Sequence, residues 1–293
     1  MTKPKDIEFN AYLEKYGTKV SQKHYQKLEQ LIKEAGLEKH AKEILELAAP
    51  CVRIKTFSCS EQDLKVGMSY FGGLPDLPED MTWPERAPGE PLSFLGQVNF
   101  KDIEQFDSAK DLPKDGLLQF YYHSSQDAWG DKPKDKSNWK VIHVAKKDMP
   151  QKKRKLPVDN KKIDVTPGTG DYEIFELYQP TKLFFYEALS LPSCQSEKIK
   201  SLQLKDKEIN SLYEAFFSYD DNLMRHQFFG EPRPLQSLNE ILFTKQTCLF
   251  FQIDSDDNPG WLWGDCGILY FLMQKQDLEK RDFDKVWMIL QSC

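Results

Sequence analysis

After residue 50 the chain is written in short apolar runs punctuated by Pro, Gly and Asp. They are LSFLGQVNF (92–100), GLLQFYY (116–122), KVIHV (140–144), EIFELY (173–178), CLFFQI (248–253), ILYFLM (268–273) and VWMIL (286–290). Runs of this length suit strands rather than helices, and the turn residues between them suit hairpins, so the reading is mainly antiparallel β. The first fifty residues keep a different period. Leu28, Leu31 and Ile32, then Leu37, Ala41, Ile44, Leu45 and Ala48, recur at helical spacing, with Gly36 between them as a C-cap. That spacing predicts two amphipathic helices, and a shorter one is expected before them around Ile7 to Lys15. Pro50 is expected to stop this head, and CVRIKTF after it alternates as a strand does. Further helices are predicted near Lys205 to Ser218, with Ile209, Leu212, Tyr213 and Phe216 as the apolar face, and near Gln276 to Phe283.

The expected fold class is α+β: mainly antiparallel β built as an internal duplication, with the N-terminal helices packed on the sheet. Residues 1–50 form the helical segment and 51–293 the β-rich domain. The duplication is read from matches that keep their order. Phe71-Gly72 matches Phe229-Gly230, Gln97-Val98-Asn99 matches Gln252-Ile253-Asp254, Gly116 and Phe120 match Gly267 and Phe271, and Lys140-Val141 matches Lys285-Val286. The separation shrinks steadily along the chain, as it would if the second copy had lost loop residues. The copies span about 66–165 and 224–293, joined by a linker with one helix. A seam between two such modules is a common place for a ligand.

Composition removes several classes of function. The chain has no run of 18 apolar residues, and MTKPKDIEFN offers no apolar signal core, so the expected setting is cytoplasmic. Six cysteines are scattered with no C-x-x-C pair, which argues against zinc and for reduced thiols. No cofactor is expected. The formal charge of −6 is mild, but between Lys132 and Lys162 twelve Lys or Arg stand against three Asp. The run KKDMPQKKRKLPVDNKK (146–162) has the charge of a nuclear import signal or an RNA patch. It lacks the aromatic residues that stack on bases and reads as a solvated loop, so nucleic acid and membrane are not expected partners.

Among the motifs, GGLPDLPEDMTWP (72–84) combines Gly72-Gly73 with three prolines and reads as a rigid irregular segment. No G-K-[ST] follows the glycines, and Asp76, Glu79 and Asp80 would repel a phosphate. Trp83 suits core packing, with a peptide groove as the alternative. DSDDNPGWLWGD (254–265) places Asp254, Asp256, Asn258 and Asp265 at positions 1, 3, 5 and 12 of an EF-hand-like loop. The pattern fails at Pro259, where the sharp turn needs Gly, and at position 12, where a bidentate Glu belongs. A polar turn explains the same residues, which leaves Asp254, Asp256 and Asp265 as weak metal candidates. Trp261 and Trp263 alternate and therefore share one side of a strand. With Asp265 they are the best surface-recognition candidates, joined by the matched Gln97 and Gln252. His226 is either a general base or a histidine hydrogen-bonded to a turn, and the second role is favoured.

From about Tyr70 to the C-terminus the chain resembles the YwqG family of domains of unknown function. The residues that carry the resemblance are YFGGLPDLPEDMTWP (70–84), SFLGQVNF (93–100), LPKDGLLQFYY (112–122), HQFFGEPRPLQ (226–236), FQIDSDD (251–257) and WGDCGILYFLMQKQDL (263–278). The resemblance implies a cytoplasmic α+β domain with an internal repeat, a distant relation to eukaryotic chaperones that escort a ribosomal protein of the small subunit, and in bacteria a place near toxin systems. It supplies no reaction and no catalytic residue. The leading expectation is therefore a non-enzymatic protein-binding domain, chaperone- or adaptor-like, that takes a polypeptide segment at a sheet edge or in the groove between repeats. An acidic groove would favour a basic peptide. The alternatives are an immunity protein that blocks a toxin, and a metal-dependent hydrolase centred on Asp254, Asp256, Asp257 and Asp265.

Overall fold

A computed structural model of the chain describes residues 22–157, 175–219, 225–236 and 246–292. The helix expected around Ile7 to Lys15 lies outside these residues. Helices α1 (Gln22–Glu34) and α2 (Ala41–Leu47) form as the periodicity requires. Gly36 closes α1 in the left-handed region at φ +72°, and Leu37 N–H returns to the Ile32 carbonyl at 3.0 Å, the αL ending that glycine makes cheap.

The β part is α+β in class and mostly antiparallel. Its strands are β1 (Ala49–Ser58), β2 (Tyr70–Phe71), β3 (Glu85–Ala87), β4 (Glu90–Pro91), β5 (Ser93–Asn99), β6 (Leu117–Tyr122), β7 (Trp139–Val144), β8 (Thr181–Ser190), β9 (Gln227–Phe228), β10 (Thr247–Asp254), β11 (Ile268–Gln274) and β12 (Trp287–Gln291). Ten of them make one sheet in the order β12-β11-β10-β9-β1-β8-β2-β5-β6-β7, and β3 pairs with β4 apart from it. The short helices α3 (Phe100–Ile103), α4 (Glu197–Lys200) and α6 (Lys275–Glu279) and the longer α5 (Asp206–Tyr219) are the other described α-helices, and short 3-10 turns lie between the elements. Among the described residues no helix is long and apolar enough to cross a membrane.

One expectation gives way here. EIFELY is not a strand over its described part: Phe175 and Tyr178 are buried in irregular chain, and the strand is β8, which starts at Thr181. The helical head does end just before Pro50, at Leu47, and Pro50 itself lies inside β1 opposite Leu189. On β1 the β9 ladder reaches only Val52 and Arg53, so at Pro50 the missing N–H falls near the start of the strand where β8 is the ladder partner and proline costs little.

On either side of the central β1–β8 pair stands a set of four strands with the same connectivity, β2-β5-β6-β7 and β9-β10-β11-β12. The registers agree in detail. Tyr70 faces Gln97 and Phe71 faces Gly96 in one set, while Gln227 faces Gln252 and Phe228 faces Phe251 in the other. The β5–β6 ladder slips between Phe94 and Gly96, and the β10–β11 ladder slips at the matching place between Leu249 and Phe251. Gly72 and Gly73 have φ of +62° and +64°, and Phe229 and Gly230 have +58° and +73°. The position that matches Phe71 is therefore Phe228, one residue from the sequence alignment. Val141 likewise matches Met288, each lying opposite its Phe120 or Phe271.

The sheet curls until its two edges meet through side chains. Trp139 of β7 donates its indole N–H to the Val286 carbonyl at 3.1 Å and meets the Trp287 ring edge-on at 5.0 Å, and Lys140 pairs with Asp284 at 2.6 Å. The β12 edge is covered further in, where Leu290 N–H donates to the Trp129 carbonyl, so neither edge is left as a template for another chain. The enclosed face is aromatic. Phe228 stacks on Phe251 at 4.1 Å, and Phe120 lies 4.6 Å from Phe251 and 5.2 Å from Phe271. α1 and α2 pack elsewhere: Leu28, Ile32, Leu37 and Ile44 share a separate cluster with Leu212 of α5 and with Leu189 and Leu191 at the end of β8.

Phe251 is fully buried at the centre of the enclosed face. Phe251→Ala is expected to cost about 3–5 kcal/mol by removing a large side chain and leaving a cavity. Chemical denaturation with an unchanged slope would register the loss as a shift in midpoint alone.

Candidate functional site

The two matched glutamines each hold a loop. The Gln97 amide donates to the Met68 carbonyl at 2.9 Å and to the Asp76 carboxylate at 2.6 Å, and its oxygen accepts the Asp76 backbone N–H at 3.1 Å. Gln252 donates to the Arg225 carbonyl at 2.6 Å and accepts the Arg233 backbone N–H at 3.1 Å. Each amide thus ties the arm entering β2 or β9 to the arm leaving it. Both side chains are fully buried and spent on backbone that flanks the short strands. The clamp also fixes a correspondence: Asp76 in the first set stands where Arg233 stands in the second.

His226 is fully buried as well. Its Nδ1 accepts the Asp254 backbone N–H at 3.0 Å, so Nε2 carries the proton and donates it to Asp256 at 3.0 Å. The same Asp256 oxygen accepts the Thr56 hydroxyl at 2.6 Å, and the other accepts Asn258 N–H at 2.9 Å. Phe71 and Trp261 close over the imidazole edge-on. Both ring nitrogens are engaged away from solvent, which gives His226 the turn-fixing role and no access to a substrate proton. Burial works to raise the Asp256 carboxyl, but the hydrogen bonds it accepts from His226, the Thr56 hydroxyl and Asn258 N–H outweigh it and hold the group below its ordinary value. Asp254 is pushed the other way by burial, despite His226 and Arg225 nearby.

Trp261 and Trp263 do share a side, and that side is the interior. They are 3% and 0% exposed, they stack at 5.4 Å, and both indole N–H groups donate to the Asp254 carbonyl. The residue between them, Leu262, is the exposed one at 55%. The expectation of a tryptophan recognition surface is corrected on that ground: alternation assigns a common side but not which side is wet. Trp83 is core too, with its indole N–H on the Leu92 carbonyl and its ring against Tyr121 and Phe175. Asp265 is exposed, and its backbone N–H donates to the Ser292 hydroxyl. The 254–265 segment is a tight turn in which Trp261 N–H and Gly260 N–H return to the Asp256 carbonyl. Asp254 is occupied by Arg225 N–H, and among the described residues no group of three or more His, Cys, Asp or Glu could hold a metal ion.

The basic run is partly docked. Arg154 N–H donates to the Pro75 carbonyl at 2.8 Å and its guanidinium to the Glu79 carbonyl at 2.7 Å. Lys153 pairs with Glu61 at 3.1 Å and lies 3.8 Å from the centre of the Tyr70 ring. These charges are spent on the first set's own loop, so over 152–156 the run is a strap and not a solvated loop.

An accessible concavity lies elsewhere. A cleft of about 530 Å³ opens between α5, the chain after β8 and the arms of β9. Ile209, Tyr213, Phe216 and Phe217 form one wall and Pro232 and Pro234 the other. Among the described residues its charged ones are Arg53, Arg225 and Arg233 against Glu214, a basic balance where an acidic one was expected. Arg53 donates to the Gln227 side chain at 2.9 Å, and the Arg233 guanidinium lies 4.4 Å from the centre of the Phe217 ring. Tyr213 fixes α5 to the chain after β8 through its hydroxyl on the Pro192 carbonyl. The sequence reading found the apolar face of α5 but not this site, whose residues come from stretches far apart in the chain.

The depressed Asp256 carboxyl contributes stability that is fully present above its unfolded value of about pH 4 and is lost as pH falls through the folded value. Asp256→Asn is expected to lower stability at pH 7 by about 1–3 kcal/mol. Denaturation from pH 7 down to pH 3 should show this difference shrinking below about pH 4, with Asp254 contributing equally to both proteins.

A family model described as a domain of unknown function, DUF1963, matches residues 69–293. No curated protein matches the chain. The match begins after β1, so Arg53 and Thr56 join the site from outside it. Over the greater part of its length the chain thus belongs to the DUF1963 family of domains of unknown function.

Proposed function

We propose that this is a non-enzymatic binding domain whose ligand, a protein or peptide segment, seats in the cleft between α5 and the arms of β9. The observation that carries this reading is the cleft itself: an apolar and aromatic wall, Phe216 and Phe217, lines an open groove together with three arginines, of which Arg233 lies over the Phe217 ring, and among the described residues no histidine lines it. Aromatic and arginine side chains are the residue types that dominate binding energy at protein interfaces. The groups that looked reactive in the sequence, His226, Asp254 and Asp256, are buried and occupied by one another and by backbone.

The two four-strand sets are read here as copies of one unit. The matched glutamine clamps, the matched ladder slips and the matched left-handed pairs support that reading. A cytoplasmic adaptor or chaperone of the kind the YwqG resemblance implies fits a domain whose chemistry is recognition.

Panning a random peptide library against the purified protein tests the proposal, with a Phe217→Ala, Arg225→Ala double variant as the comparison. Selected peptides should bind with micromolar affinity and lose at least about tenfold on the variant. A library that returns no binder, or binders indifferent to the double substitution, would refute it.

A further inference from the structure

The first set of strands shows what lies across its own loop. The strap 152–156 crosses the arm that leaves β2. Arg154 N–H bonds to the Pro75 carbonyl, Lys153 Nζ to the Leu74 carbonyl at 3.3 Å, and Lys152 pairs with Glu79 at 2.9 Å. Leu156 adds an apolar anchor to the cluster around Trp83. The strap is neither helix nor strand over 153–156. Burial leaves the Asp76 carboxyl above its ordinary value, and Lys153, after the hydrogen bonds from Gly67 and Gln97, is among the groups that oppose that rise.

The second set has the same arm held by the same clamp, with Pro232 in the place of Pro75 and Arg233 in the place of Asp76. There the cleft runs along the arm, and the charge at the matched position is reversed. Arg225 stands on the entering arm beside it, and Phe217 offers an aromatic face 47% exposed. From this we infer that the cleft takes an extended acidic peptide segment with an apolar or aromatic anchor, laid along Pro232 to Pro234 as the strap lies along Pro75 to Pro78. Its carboxylates would meet Arg225 and Arg233, its anchor the Phe216 and Phe217 wall, and its backbone the arm. Charge complementarity of this kind sets which segment is admitted more than how tightly it is held. The inference rests on the binding role proposed for the cleft and names the class of its ligand.

The test uses the full chain and three labelled peptides of equal length, read by fluorescence anisotropy: one alternating Glu with Phe and Leu, its Lys counterpart, and a synthetic copy of residues 151–157. Glutamate and inorganic phosphate serve as small-anion competitors. The acidic peptide should bind, weaken with added salt, and lose about tenfold or more on Arg225→Glu. Arg233→Asp, which recreates the charge of the first set, should turn the preference toward the 151–157 peptide. Thermal melts establish that each variant is folded, and Arg225→Glu carries the test alone if Arg233→Asp is not. Equal or tighter binding of the Lys peptide by the unsubstituted protein would overturn the inference, as would full displacement by phosphate at concentrations that leave ionic strength unchanged. Cleft-dependent library peptides without acidic residues would sink the inference and leave the binding role standing. Peptides of neither charge responding to cleft substitution would sink both.

Discussion

A primary amide sealed inside a protein has to find partners for its N–H groups and its oxygen, because an unmade bond there costs about 1–3 kcal/mol. Gln97 and Gln252 meet that demand in the same way, by bonding to the backbone on both sides of a two-residue strand. β2 and β9 are too short to hold their own arms by ladder bonds. The buried amides do it for them, and so the course of the 72–78 and 229–235 loops follows from where β5 and β10 put a glutamine. Everything outward of those loops depends on this: the strap in one set and the cleft in the other both lie along an arm that a glutamine has placed.

The second set then carries a polar centre whose counterpart in the first is smaller, Ser69 accepting Asn99 N–H and donating to Asp102. His226, Asp256, Thr56 and Asn258 bond in a closed group behind the Trp261–Trp263 pair. It joins β1, the arm of β9 and the 254–265 turn, three segments distant in sequence. Fully satisfied groups of this sort specify one arrangement of a core. That is a structural use of residues which, as letters in a sequence, look like a histidine base and a cluster of acidic ligands.

Much of the architecture was legible because alternation and turn residues are local signals. β5, β6, β10, β11 and β12 fall on the apolar runs, and α5 falls on its amphipathic stretch. β8 was not legible: TKLFFYEALS mixes Lys182 and Glu187 into an aromatic run, and the cleaner alternation of EIFELY just before it drew the assignment. The likeness between the two four-strand sets was legible at Gln97 and Gln252, but its register at Phe71 was off by one because Phe228-Phe229 offers two phenylalanines and only backbone φ tells which is which. The tryptophans show a different limit. Alternation put Trp261 and Trp263 on one side, and only the curl of the sheet decides that this side faces inward. The cleft lay furthest from view, since Arg53, Phe217, Arg225 and Arg233 become neighbours only through long-range pairing of β1 with β9.

Hydrogen exchange by mass spectrometry on Gln252→Leu would test most directly whether a buried amide places the functional arm. Amide protection should fall over 229–236 and the cleft wall, while 72–78 and the strap at 152–156 keep the protection of the unsubstituted protein. Protection lost evenly across both halves, or unchanged at 229–236, would contradict the claim that the glutamine clamp positions the cleft.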